Sequence, residues 1–126
     1  MAIYMKPHQT RAALYIRTDP ADPVQLSAKL QEQALRDYCA SQRVSVMKTF
    51  VFECGDEESL RRIEQLLPTL QPEINTLVAL RFHRFSRNLL ELTQISMRAR
   101  TEFHVDLYSA EFVSPLWGNL HNVGNL

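Results

Sequence analysis

The sequence predicts an α/β fold: three layers, α/β/α, built around a mainly parallel sheet of four to five strands. Three observations carry that expectation. Short apolar runs rich in β-branched and aromatic residues alternate with longer segments of helical period, as successive βαβ units require. Of the 126 residues, 45% are hydrophobic and 22% charged, which suits a single ordinary core. Glycine and proline number only 3 and 6, so a disordered or collagen-like chain is excluded. One domain is expected over 1–126, with its core at about 12–111 and a short tail at 112–126.

Met1 to Thr10 shows no sustained period and reads as a loose or edge segment. Ala12 to Arg17 is a buried strand running into Thr18-Asp19-Pro20-Ala21-Asp22-Pro23, a cluster of turn formers. Between Val24 and Arg43, Leu26, Leu30, Ala34, Leu35, Tyr38 and Cys39 recur at helical spacing. Val44 to Glu53 alternates as a second strand. Asp56, Glu57 and Glu58 place acids at a helix N-terminus, Leu60, Ile63, Leu66, Leu67 and Leu70 form its apolar face, and Pro72 stops it. Asn75 to Phe82 is a third strand, and Ser86 is the expected N-cap of a third long helix carrying Leu89, Leu92, Ser96 and Ala99. Phe103 to Ala110 supplies a fourth strand. Past Glu111, Trp117 fits either packing against the domain or contact with a partner.

Lys+Arg and Asp+Glu are both 14, so no global positive field exists to hold nucleic acid or anionic lipid. The longest apolar runs, such as Leu77 to Leu80, fall far short of the ~20 residues of a membrane span. The N-terminus lacks the apolar stretch of a secretory signal, so a cytoplasmic location and no membrane partner are expected. Cys39 and Cys54 cannot build a disulfide framework and lack zinc-ligand spacing; both read as small apolar residues. No metal and no cofactor is expected.

Charge is concentrated locally. Arg81, Arg84, Arg87, Arg98 and Arg100 fall within twenty residues that contain Glu91 as the single acid. In an open parallel sheet, ligands sit beyond the carboxyl ends of the strands where strand order reverses, which selects Arg17-Thr18-Asp19 and Arg81 to Arg87. Arg17, Arg81, Arg84 and Arg87 are therefore the candidate phosphate or anion ligands, with Arg17 projecting into the same crevice as the others. The rival reading is a solvated helix face with surface ion pairs.

Tyr15-Ile16-Arg17-Thr18-Asp19, then Ser27 and Gln31 ahead of Ala34 to Cys39, then Arg81-Phe82-His83-Arg84-Phe85-Ser86-Arg87-Asn88, together resemble the catalytic domain of the resolvase/invertase family of serine recombinases. The resemblance runs from about Ala12 to about Glu111. It implies a resolvase-like fold, DNA partners, a mobile-element, phage or plasmid context, and DNA strand cleavage by covalent catalysis. In that chemistry a serine attacks a backbone phosphate while arginines stabilise the transition state. Carried over, Arg17, Arg84 and Arg87 fall on arginines that contact the scissile phosphate, and Ser27, Gln31 and Ser86 on supporting positions.

The chain departs from the family pattern at the reacting atoms. Asp19 stands at the serine position, His83 at the acid of the third motif, and Thr18 at the hydrophobic residue before the nucleophile. A carboxylate has no hydroxyl to deprotonate and its charge opposes a phosphodiester. His83 can exchange a proton near neutral pH but cleaves nothing alone. Thr18 belongs to the opposite strand face, and Ser27 and Ser86 read as helix-start residues. No long dimerisation helix or separate DNA-binding domain is evident after Glu111, and Glu53 to Glu58 is acidic where relatives are basic. The expectation is a catalytically inactive domain with Asp19 paired to Arg17, Arg84 or Arg87, binding DNA weakly alone and associating with itself, an active recombinase or another protein. Two alternatives stay open: an active recombinase domain completed by another subunit, and a stand-alone anion- or nucleotide-binding regulator.

Overall fold

The apolar faces of alternate strand residues dictate where the helices go. In the computed structural model, which describes residues 10–111, the first strand β1 (Arg11–Thr18) is buried from Ala12 to Arg17, as a central strand covered on both faces must be. Ala12, Leu14 and Ile16 meet Leu35 and Cys39 of α1 (Ala28–Ser41). Ala13 and Tyr15 point the other way, into a larger cluster with α2 (Asp56–Leu70) and α4 (Leu89–Phe103). Between the layers, β2 (Ser45–Glu53), β1, β3 (Thr76–Ala79) and β4 (Asp106–Ser109) form a four-stranded sheet in the order β2-β1-β3-β4, parallel at every pairing.

The three-layer α/β/α architecture with a parallel sheet is thus as the sequence predicts, with four strands among the described residues. From β1 the chain steps outward to β2 on one side, and from β3 to β4 on the other. Strand order therefore reverses between β1 and β3, and the crevice opens above their carboxyl ends. None of the described helices is long and apolar enough to cross a membrane.

Several boundaries differ from the sequence expectation. Ser27 is the N-cap of α1, in keeping with its reading as a helix-start residue, its side chain accepting from the Leu30 N–H; the helix thus starts at Ala28, although the helical spacing of apolar residues extends back toward Val24. Pro68 lies inside the last turn of α2, which ends at Leu70 before Pro72. The third strand stops at Ala79, because Phe82–Phe85 coils into a one-turn helix, α3, that buries Phe85 in the core. Ser86 closes α3 and is not the N-cap of the following helix. That role falls to Asn88, whose side chain accepts from the Glu91 N–H. Phe103 belongs to the end of α4, and His104, at φ 58°, turns the chain into β4. Histidine is among the residue types that tolerate this left-handed backbone. The expectations for Met1 to Gln9 and for the tail from Phe112, Trp117 included, lie outside the described residues.

Candidate functional site

Strand parity sets the direction of Arg17. It shares the face of Ala13 and Tyr15, so its side chain runs beneath α3 toward the start of α2 and does not project into the crevice as the sequence suggests. The residue is fully buried. Its Nε donates to the Arg84 carbonyl at 2.7 Å, Nη1 to the Cys54 carbonyl at 2.9 Å, and Nη2 to Asp56 Oδ1 at 2.7 Å and to the His83 carbonyl at 2.8 Å. Asp19 Oδ2 lies 3.7 Å from Nη1. A buried guanidinium needs its donors satisfied and its charge balanced, and this chain supplies both internally.

Arg84 returns the contact. Its Nη1 donates to the Arg17 carbonyl at 3.0 Å and to Gln25 Oε1 at 3.1 Å, so two arginines each hold the other's backbone and lock α3 onto the end of β1. Ser59 completes the clasp. Its hydroxyl donates to the Phe85 carbonyl and meets the Tyr15 hydroxyl at 2.7 Å, so the carbonyls of His83, Arg84 and Phe85 are all held by side chains from below. Burial, with Arg17 and Arg87 adding repulsion, lowers the pKa of Arg84.

The acid facing Arg84 and Arg87 is Asp22. Its Oδ2 lies 3.5 Å from Arg84 Nη2 and 3.3 Å from Arg87 Nη2, while Oδ1 accepts from the Val24 N–H at 3.0 Å. The Val24 bond and the two arginines hold its carboxyl below the usual carboxylate range. Asp19, expected to pair with any of the three arginines, approaches Arg17 alone and otherwise shapes the loop: Oδ1 accepts from the Ala21 N–H at 2.9 Å. Gln25 organises that loop, with Oε1 accepting from the Asp19 N–H and Nε2 donating to the carbonyls of Asp19 and Asp22.

The remaining predicted residues take distinct places. Gln31 is buried and donates from Nε2 to the carbonyls of Arg17 and Leu26, tying α1 to the same loop. Ser27 serves as a cap, and Ser86 Oγ accepts from the Asn88 N–H at 3.0 Å. Arg81 pairs with Glu111 at 3.0 Å. His83 lies at the crevice edge, where burial and then the nearby Arg84, Arg87 and Arg81 lower its pKa and disfavour the imidazolium. The crevice itself has a volume of about 990 Å³, with Val24, Ala34 and Leu80 as apolar wall and His83, Arg84 and Arg87 as polar wall. Among the described residues no group of three or more His, Cys, Asp or Glu could hold a metal ion.

Sequence reasoning missed Asp22, Gln25 and Asp56. Asp22 falls in the loop that the strand-order rule selects, but its composition reads first as a turn; Asp56 reads as a helix-start acid, which it also is. Nothing in the sequence marks Gln25.

The family profile described as the N-terminal domain of resolvase matches residues 12–115. No curated protein gives a significant match. Among solved structures, the N-terminal catalytic domain of TP901-1 integrase is similar at a TM-score of 0.66 and 16% identity, with 90% of each chain covered. A resolvase family site-specific recombinase from Streptococcus pneumoniae gives 0.65 and 13%, covering 93% of this chain and 87% of that one. The C-terminal catalytic domain of ISC1926 TnpA, an IS607-like serine recombinase, gives 0.62 and 14%, covering 91% and 77%. With its parallel sheet, its Tyr15-Ile16-Arg17 strand end and its Arg84 to Asn88 turn falling within that profile, this chain belongs to the resolvase family, as a resolvase-like serine recombinase domain related to site-specific recombination.

Proposed function

We propose that this domain is silent in DNA cleavage and acts through binding, by association with itself or with an active recombinase whose activity it modulates. The observation that carries the reading is the state of Arg17: fully buried, with four of its five N–H donors taken by Asp56 and by the carbonyls of Cys54, His83 and Arg84, and Asp19 3.7 Å from Nη1. A guanidinium held in this way has no fork left to offer a phosphate. Asp19, at the position where relatives carry the nucleophilic serine, lacks a hydroxyl, and a carboxylate 4 Å from a phosphodiester is repelled by about 4 kcal/mol at an effective dielectric near 20. His83 can pass a proton, but burial and the neighbouring arginines disfavour the charged imidazolium that would compensate a phosphate.

The test is a supercoiled-plasmid assay with denaturing capture of protein–DNA adducts, run on the natural chain and on Asp19→Ser. Neither is expected to yield an adduct, since the substitution restores a hydroxyl and leaves Arg17 engaged. An adduct formed by the natural chain defeats the proposal. Co-elution with an active recombinase of the same family in size-exclusion chromatography is the expected positive result.

A further inference from the structure

We infer that Asp22 is a displaceable latch, a carboxylate of the chain itself that occupies the Arg84–Arg87 pair where an external anion would sit, so that anion binding there requires the loop at 19–27 to give way. The inference goes beyond the silent-centre reading and does not depend on it. Three features carry it. First, the ion pairs are long: 3.5 Å to Arg84 and 3.3 Å to Arg87, against about 2.7–2.9 Å for a strong charge-assisted bond. One oxygen, Oδ2, serves both arginines because Oδ1 is committed to the Val24 N–H. A tetrahedral phosphate, with several oxygens, matches two guanidiniums better than this single atom does.

Second, Asp22 stands between a buried cation and solvent. The side chain of Arg84 is 6% exposed and that of Arg87 49%, with Asp22 at 17%. Removing the carboxylate leaves Arg84 buried beside Arg17 without its partner, a situation that favours capture of an outside anion. Third, the loop is held by a small set of contacts centred on one side chain. Gln25 bonds to the backbone of Asp19 and Asp22 and to Arg84 at 2.8–3.1 Å, and the crevice of about 990 Å³ opens directly onto the same groups.

The experiment is a titration of the full chain with inorganic phosphate, followed by the backbone amide signals of Val24 and Arg87. In the natural chain the Val24 signal is expected to move as phosphate binds, because its Asx bond to Asp22 is released. Asp22→Asn, which keeps an acceptor for Val24 and removes the charge, is expected to bind phosphate about tenfold more tightly. Adding Arg87→Ala to that variant is expected to abolish the gain. An unchanged or weakened affinity in Asp22→Asn, or a gain that survives Arg87→Ala, overturns the latch. If Asp22→Asn does not fold, Gln25→Ala unhooks the loop with the carboxylate retained, and a gain of roughly two- to threefold is expected; no gain overturns the inference. The adduct assay and this titration fail separately: an adduct leaves the latch standing, and an unaltered phosphate affinity leaves the silent centre standing.

Discussion

At the scale of single residues, the contact of Arg17 with Arg84 and the placing of Arg84 and Arg87 on the crevice are legible from motif order and strand ends, whereas the direction of Arg17, away from that crevice, is not. It follows from parity along β1: Ala13, Tyr15 and Arg17 share a face, and that face is closed by α2 and α3. Tyr15 makes the consequence measurable. Burial raises its pKa from 10.0 to about 12, partly offset by its bond to Ser59. The folded chain therefore keeps a neutral phenol where the unfolded chain has released its proton. The stability associated with Tyr15 is full below pH 10 and is lost as pH rises toward the folded value. The slope across that window is about 1.4 kcal/mol per pH unit. Urea denaturation at pH 9 to 12 should show the natural chain losing stability more steeply than Tyr15→Phe; parallel slopes would show that the phenol ionises without resistance.

At the scale of elements, the long helices and the central strand are legible because their periodicities extend over many residues, as in Leu60, Ile63, Leu67 and Leu70 of α2. The stretch after β3 is not, because Phe82 and Phe85 fit the end of a strand as well as they fit a single turn. Long-range contacts decide between the two: Ser59 and Arg17 hold the carbonyls that a one-turn helix leaves open. The same four-residue turn moves the cap of α4 from Ser86 to Asn88, which accepts from the Glu91 N–H at 3.2 Å and donates to the Glu91 carboxylate at 3.0 Å. This is an asparagine N-cap backed by a side chain–side chain bond; it is not a full capping box, because the Asn88 backbone N–H donates to Ser86 Oγ and not to Glu91. Asn88→Ala should cost about 1 kcal/mol and expose the Glu91 amide to exchange. Ser86→Ala should leave Glu91 protected, since Ser86 Oγ serves the Asn88 N–H instead. Equal loss of Glu91 protection in both variants would return the cap to Ser86.

At the scale of the whole molecule, the parallel sheet and the reversal of strand order between β1 and β3 are legible from the alternation of elements alone, and with them the location of the crevice. The balance of charge within it is not, because composition does not say which acid meets which base. The chain carries 14 basic and 14 acidic residues, and the structure distributes them as pairs around the basic segment. Arg81 meets Glu111, Arg84 and Arg87 meet Asp22, Arg98 meets Glu64 and Glu102, and Arg100 meets Asp106. Apart from the Arg84–Asp22 contact, which is buried, these pairs involve exposed arginines, and such pairs add little stability and open readily. Opening one to take a DNA phosphate, however, leaves its carboxylate beside the duplex, so each such exchange returns much less than an unpaired arginine would. Electrostatic DNA binding scales with the number of phosphates neutralised, which should therefore be small. For the natural chain alone with a random duplex, affinity in 0.15 M salt is expected to be weaker than about 10⁻⁴ M, with a log–log salt slope below about 2 in magnitude. A slope of about 5 or more, measured by fluorescence anisotropy, would mean that these pairs break cooperatively on DNA and that the paired arrangement does not govern nucleic-acid affinity.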